Sequence, residues 1–180
     1  MAEDKAAQSA WKPVAGKDAS LAQGDFLPRL VVPIIPPDSW KLFMDEKACN
    51  HQIPVIETAA VVLTQTCDLK NNKVSKIVIC RAFEITEFEK VNTDYKAKGR
   101  WDSVGKGRER ALYLLPGLSE AHDTPIVVDF SDIHILDGDF VRSYVKDMDG
   151  RYQLTSPYRE SLSQRFGTFF SQVALPATVK

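Results

Sequence analysis

The sequence predicts a mainly β fold of the α+β class: a small antiparallel barrel with helical insertions and a C-terminal amphipathic helix. Three observations predict it. Short Val/Ile-rich runs recur between clusters of Asn, Asp, Gly and Ser. The pair Asn71-Asn72, which tolerates positive φ, lies between two such runs and predicts antiparallel pairing. Near the C-terminus the apolar spacing changes to a helical period sustained over four turns. At 180 residues the chain fits one domain with one substantial core.

Residues 1–23 are rich in Ala, Lys and Asp without periodicity and predict a flexible arm, with Trp11 as an anchor. The domain proper is expected over 24–180. "GDFLPRLVVPIIPP" reads as an edge or interrupted strand, because Pro28, Pro33, Pro36 and Pro37 cannot donate to a ladder. Trp40, Phe43 and Met44 at helical spacing behind Asp38 or Ser39 predict a short helix. "IPVIETAAVVLTQT", with a break near Glu57 and Thr58, and "VSKIVICRAFEI" are the best strand candidates.

"ITEFEKVNTDYKAK" predicts a short helix with Phe88, Val91 and Tyr95 on one face, and "RALYLLPG" a strand stopped by Pro116 and Gly117. "TPIVVDF", "DIHIL", "FVRSYV" and "RYQLTS" read as short extended pieces separated by turns. The last element is a helix over about 157–173, with Ser156 as cap, Pro157 at its first position and Tyr158, Leu162, Phe166, Phe169 and Val173 along one face. That face is expected to pack on the barrel, with a homodimer contact as the alternative.

Composition excludes several classes. Hydrophobic content of 44% and charged content of 26% are globular values, and runs such as "AAVVL" are too short to span a bilayer. The N-terminal residues carry no secretory pattern, so a cytoplasmic protein is expected. Cys49, Cys67 and Cys80 are odd in number and lack CxxC spacing, which argues against a disulfide framework or a zinc knuckle. A net charge of −1 gives no overall pull toward nucleic acid. The distribution is uneven, however: Lys and Arg crowd residues 90–110, whereas 111–141 has acidic residues and no Lys or Arg.

Four groups of residues could carry chemistry. Cys67 and Asp68, at the end of "VVLTQTCDL", offer a nucleophile only if a base adjoins the thiol; the expected reading is a buried strand-end thiol and a turn-capping carboxylate. Asp129, Asp132, His134, Asp137 and Asp139 carry metal-compatible atoms, but their spacing matches no calcium loop, and no metal or other cofactor is expected. Arg100, Trp101, Lys106, Arg108 and Arg110, in a glycine-rich stretch, suit single-stranded nucleic acid, with cations on phosphates and an aromatic face on a base. The plainer expectation for the same stretch is a solvated flexible hairpin.

The fourth group enters through a likeness. Gly24-Asp25, the strand Ala60 to Thr64, the Asn71-Asn72 loop and the strand Ile77 to Cys80 resemble the PemK/MazF family of plasmid-maintenance toxins. The pattern around "TQTCDL" is also similar to bacterial proteins without an assigned activity. The toxin resemblance implies an SH3-like barrel and metal-independent RNA cleavage, by an arginine just before the first of these strands and a Thr or Ser at the end of the second. Thr58 stands in the arginine's place, and Arg81 follows the second strand. The expectation is therefore a catalytically divergent module binding RNA or a protein partner through the basic loop. The alternatives are a ribonuclease using Arg81 or Thr64 and a hydrolase using Cys67.

Overall fold

The computed structural model describes residues 9–15, 20–39, 41, 52–71 and 73–171. Its strands are β1 (Trp11–Ala15), β2 (Asp25–Pro33), β3 (Val55–Val62), β4 (Lys76–Glu84), β5 (Leu112–Leu115), β6 (Ile126–Asp137) and β7 (Gly150–Leu154). The helices are α1 (Thr66–Lys70), α2 (Ile85–Val91), α3 (Arg100–Gly105), α4 (Gly138–Lys146) and α5 (Tyr158–Phe170), with a 3₁₀ turn at Thr93–Lys96. The strands form one antiparallel sheet in the order β1-β7-β2-β3-β4-β6-β5.

The mainly antiparallel α+β class is present, but the sheet is not closed: β1 and β5 are its edges and no ladder joins them. The sheet nevertheless curls, and the indole Nε1 of Trp11 in β1 donates to the carbonyl of Pro116, just past β5, at 2.9 Å. Buried residues from all seven strands meet on the concave side, among them Trp11, Phe26, Val61, Cys80, Tyr113, Phe130 and Leu154. Helix α5 covers this core with Tyr158, Leu162, Phe166 and Phe169, as its aromatic stripe requires. The helix starts at Tyr158 with Pro157 in the cap position, one residue later than the sequence suggests, and Val173 lies outside the described residues.

Strand alternation sends the other side chains to the convex face. Leu27, Leu30, Val32, Ala60, Val62, Ile77 and Ile79 pack there against Val141 and Val145 of α4 and Leu69 of α1. Further along the same face Phe88, Val104, Leu112 and Val127 form a smaller cluster with Phe83, Tyr95 and Trp101.

Several expectations change. Trp11–Ala15 is a paired strand and not part of a flexible arm, because Trp11 is buried and β1 pairs with β7 along its whole length. β3 runs unbroken through Glu57 and Thr58, since Thr58 pairs with Leu30. "TPIVVDF" and "DIHIL" are one strand, β6, with an irregularity where a turn is predicted. "FVRSYV" is helical: the Asp137 carboxylate accepts from the N–H groups of Asp139 and Phe140 and caps α4, while Val141 and Val145 are one turn apart on the buried face. Val91 is exposed, off the face that Phe88 shares with Tyr95. The helix expected around Trp40, Phe43 and Met44 lies outside the described residues.

β2 is interrupted as its prolines demand. It pairs with β7 only at Asp25 and Phe26, and its register with β3 shifts between Leu27 and Leu30, around Pro28. At its start Gly24 has φ 81°, donates to Val62 and accepts from Leu154; a Cβ there would lie 2.8 Å from that of Leu154. Next to it the Asp25 carboxylate is fully buried. It accepts from Arg151 Nε at 2.7 Å, Gln153 Nε2 at 2.7 Å and the Ala22 N–H at 2.9 Å. Burial pushes this carboxyl above the ordinary range, against the pull of the Ala22 N–H and the Arg151 guanidinium.

Removing one member leaves its partner charged and enclosed. Asp25→Ala and Arg151→Ala are each expected to cost about 3–5 kcal/mol, and the double variant less than the sum. Urea denaturation of the three variants measures this, and a loss below about 1 kcal/mol for either single variant contradicts the enclosed pair.

Candidate functional site

On the convex face, between the two apolar clusters, polar residues meet across three neighbouring strands. Arg81 of β4 directs Nε to Thr58 Oγ1 of β3 at 3.0 Å and Nη1 to Asp132 Oδ2 of β6 at 2.9 Å. Asp132 Oδ1 lies 3.1 Å from His134 Nε2. The guanidinium also sits over the Phe83 ring, 4.8 Å from its centroid.

Local sequence explains the assembly. Thr58 continues the convex-face row of Ala60 and Val62, Arg81 the row of Ile77 and Ile79, and His134 faces Ile79 directly. The register of β4 with β6 slips between Cys80 and Ala82, which pair with Ile133 and Val128. The extra β6 residues, including Asp132, bulge at Arg81, and such bulges re-aim side chains beside functional sites. Arg81, Asp132 and His134 keep 24%, 33% and 19% of their side-chain surface in solvent, so the cluster is accessible. A guanidinium can hold a phosphate in a forked pair of hydrogen bonds, and an imidazole beside a carboxylate can pass a proton.

Arg81 therefore belongs to an accessible polar cluster, and the other catalytic candidates lie elsewhere. Thr64 Oγ1 accepts from the Val78 N–H at 2.8 Å, a structural bond at the end of β3. Cys67 and Asp68 lie on α1, not in a strand-end turn. Contrary to expectation Cys67 is exposed, because α1 turns the chain outward and buries Leu69 instead. Its sulfur lies 3.6 Å from both Gln65 Oε1 and Asp68 Oδ1, and no imidazole contacts it among the described residues. Thr64 and Asp68 line a cleft of about 510 Å³ under α5 that Arg81 does not reach. Among the described residues no three metal-ligating side chains converge.

The basic segment is not a mobile hairpin. Arg100 and Trp101 open α3, and Trp101 packs against Phe88 and Tyr95 with ring centroids 5.8 and 5.1 Å away. Its Nε1 donates to Glu89 at 2.7 Å, so this face is spent on the core rather than offered to a base. Arg100 lies 3.0 Å from Glu109 and over the Tyr95 ring. What remains are Lys106, Arg108 and Arg110, exposed and without a carboxylate partner among the described residues.

The sequence offers Asp132 and His134 as metal-compatible groups and does not join them to Arg81. The spacing of two residues along one strand is the available signal. Nor does the sequence mark as functional the polar residues of α5, which recur at Ser161, Gln164, Arg165 and Thr168 beside the aromatic stripe. No protein-family profile, curated protein or solved structure matches the chain.

The two described thiols differ sharply. Cys80 is fully buried, its Sγ donates to the Asp129 carbonyl, and burial followed by the nearby Asp129 and Asp132 carboxylates pushes its pKa far up. Native protein treated with iodoacetamide is expected to label at Cys67, with Cys80 modified only in denaturant. Peptide mapping by mass spectrometry checks this, and native labelling of Cys80 contradicts the packing of β4.

Proposed function

We propose that this chain is a catalytically divergent, bacterial-type intracellular module related to the PemK/MazF-like toxins, on an SH3-like small barrel, and that it holds single-stranded RNA. The observation that carries the reading is the set of exposed cations Lys106, Arg108 and Arg110, which pair with no carboxylate among the described residues, on a segment anchored by the Trp101 cluster. Cations that no carboxylate neutralises are free to displace counterions from a phosphate backbone, and a fixed base under them limits the entropy lost on binding. The curl of the sheet and Thr58 in the toxin arginine's place are compatible with a diverged relative.

In fluorescence anisotropy, a labelled single-stranded RNA is expected to bind with an affinity that falls as salt rises. Replacing Lys106, Arg108 and Arg110 together by Gln should reduce the slope of log K against log salt by about 2, from roughly 0.7 per phosphate contact. An unchanged slope removes this surface from the interface. Absence of RNA binding at low ionic strength transfers the surface to a protein partner.

The Thr58–Arg81–Asp132–His134 assembly favours a second reading, a metal-independent endoribonuclease in which Arg81 holds the phosphate and His134 moves the proton. It predicts cleavage of RNA in the presence of chelator, lost in Arg81→Ala and reduced by about 10²-fold or more in His134→Ala. Folded wild-type protein that leaves RNA intact over long incubation counts decisively against it.

A further inference from the structure

The polar stripe of α5 faces the end of the basic segment. Between them is a cleft of about 430 Å³ lined by Gly107, Arg110, Ser161, Gln164, Arg165 and Thr168. Two guanidiniums border it, and among the described residues no carboxylate does. Neither arginine pairs with a carboxylate elsewhere among the described residues.

Arg165 is also held in place. Its guanidinium lies over the Tyr113 ring, 5.3 Å from the centroid. On its other side is Gly107, where an added Cβ would come within 2.5 Å of Arg165 Nη1. Gly107 has φ 71°, a conformation that glycine adopts without strain, so its identity serves both the backbone turn and the seat of the guanidinium. The remaining donors are the Gln164 amide and the Ser161 hydroxyl. Thr168 Oγ1 donates its proton to the Gln164 carbonyl at 2.8 Å and forms a wall.

We infer that this cleft is a phosphate-monoester subsite, in which Arg110 and Arg165 receive the terminal phosphate of an RNA strand that continues over Lys106 and Arg108. The inference rests on the RNA-binding reading for the strand but not for the phosphate itself. A phosphate monoester carries close to two negative charges at neutral pH, matching two guanidiniums, whereas an internal diester carries one. Planar, forked donors favour a tetrahedral oxyanion with several acceptor oxygens, and a single carboxylate would leave the second arginine unmatched.

The test has two arms. ¹⁵N NMR of the protein follows the Gly107 amide and the Arg165 Nε–H during titration with inorganic phosphate, with acetate at equal ionic strength as control. Saturable shifts specific to phosphate are expected; no shift, or equal shifts with acetate, overturns the proposal. Anisotropy then compares one RNA sequence bearing a 5′-phosphate, a 3′-phosphate or no terminal phosphate. One phosphorylated form is expected to bind about tenfold more tightly than the unphosphorylated strand.

That preference should vanish in Arg165→Gln and in Gly107→Ala, whose methyl group displaces the guanidinium. Equal affinity for all three strands, or a preference that survives both substitutions, overturns the subsite while leaving RNA binding intact. Phosphate-specific shifts without binding of any strand uphold the phosphate pocket and defeat the RNA reading.

Discussion

The buried Asp25–Arg151 pair is the constraint on which the arrangement of the sheet depends. Two charges removed from water cost more than their attraction returns unless their remaining hydrogen-bonding capacity is filled. Here it is filled by groups that must come together in one way. Gln153 and the Ala22 N–H complete the carboxylate, and the Ser20 carbonyl accepts from the guanidinium. A slip of one residue between β2 and β7 would turn Asp25 or Arg151 to the opposite face and strand both charges. The pair thus selects a register where the ladder itself is only two residues long.

From that register the rest of the sheet's polarity follows. Concave positions fill the common core, and convex positions alternate between apolar clusters and the Arg81 assembly. The cationic surface is reached from the same rule, because Val104 of α3 and Leu112 of β5 are both buried, which leaves the connecting residues outside. The cleft under Arg165 lies on the helix that closes the concave side. The two polar assemblies therefore belong to different faces of one sheet, and a ligand on the first does not obstruct the second.

The sequence made part of this legible. β2 with its proline interruption, β4, β5, β7 and the face of α5 all carry signals that arise within a few residues, from proline's missing donor and from the periods of strand and helix. What stayed hidden depends on partners distant in the chain. Nothing near Trp11 announces that its indole reaches Pro116, and "FVRSYV" is as apolar and β-branched as a strand until Asp137 caps it. The site divides the same way: the cations of 100–110 are plain in the sequence, but the pairing of Arg100 with Glu109 and the anchoring of Trp101 on Glu89 are tertiary, as is the union of Arg81 with Asp132 and His134. Cys67 is exposed because a five-residue helix reverses the outlook of a residue that would be buried in a continuing strand.

The pairing of β1 with β7 has a temporal consequence. The first strand of the described chain finds its partner only in the last one, and Asp25 and Arg151 are 126 residues apart. During synthesis β1 and the buried aspartate lack these partners until β7 has emerged. The β3–β4 and β5–β6 pairs, close in sequence, can form well before that. Completion of the sheet is thus a late, chain-wide event, and a chain ending before Arg151 would keep its central pairs while exposing the concave core that β1 and α5 cover.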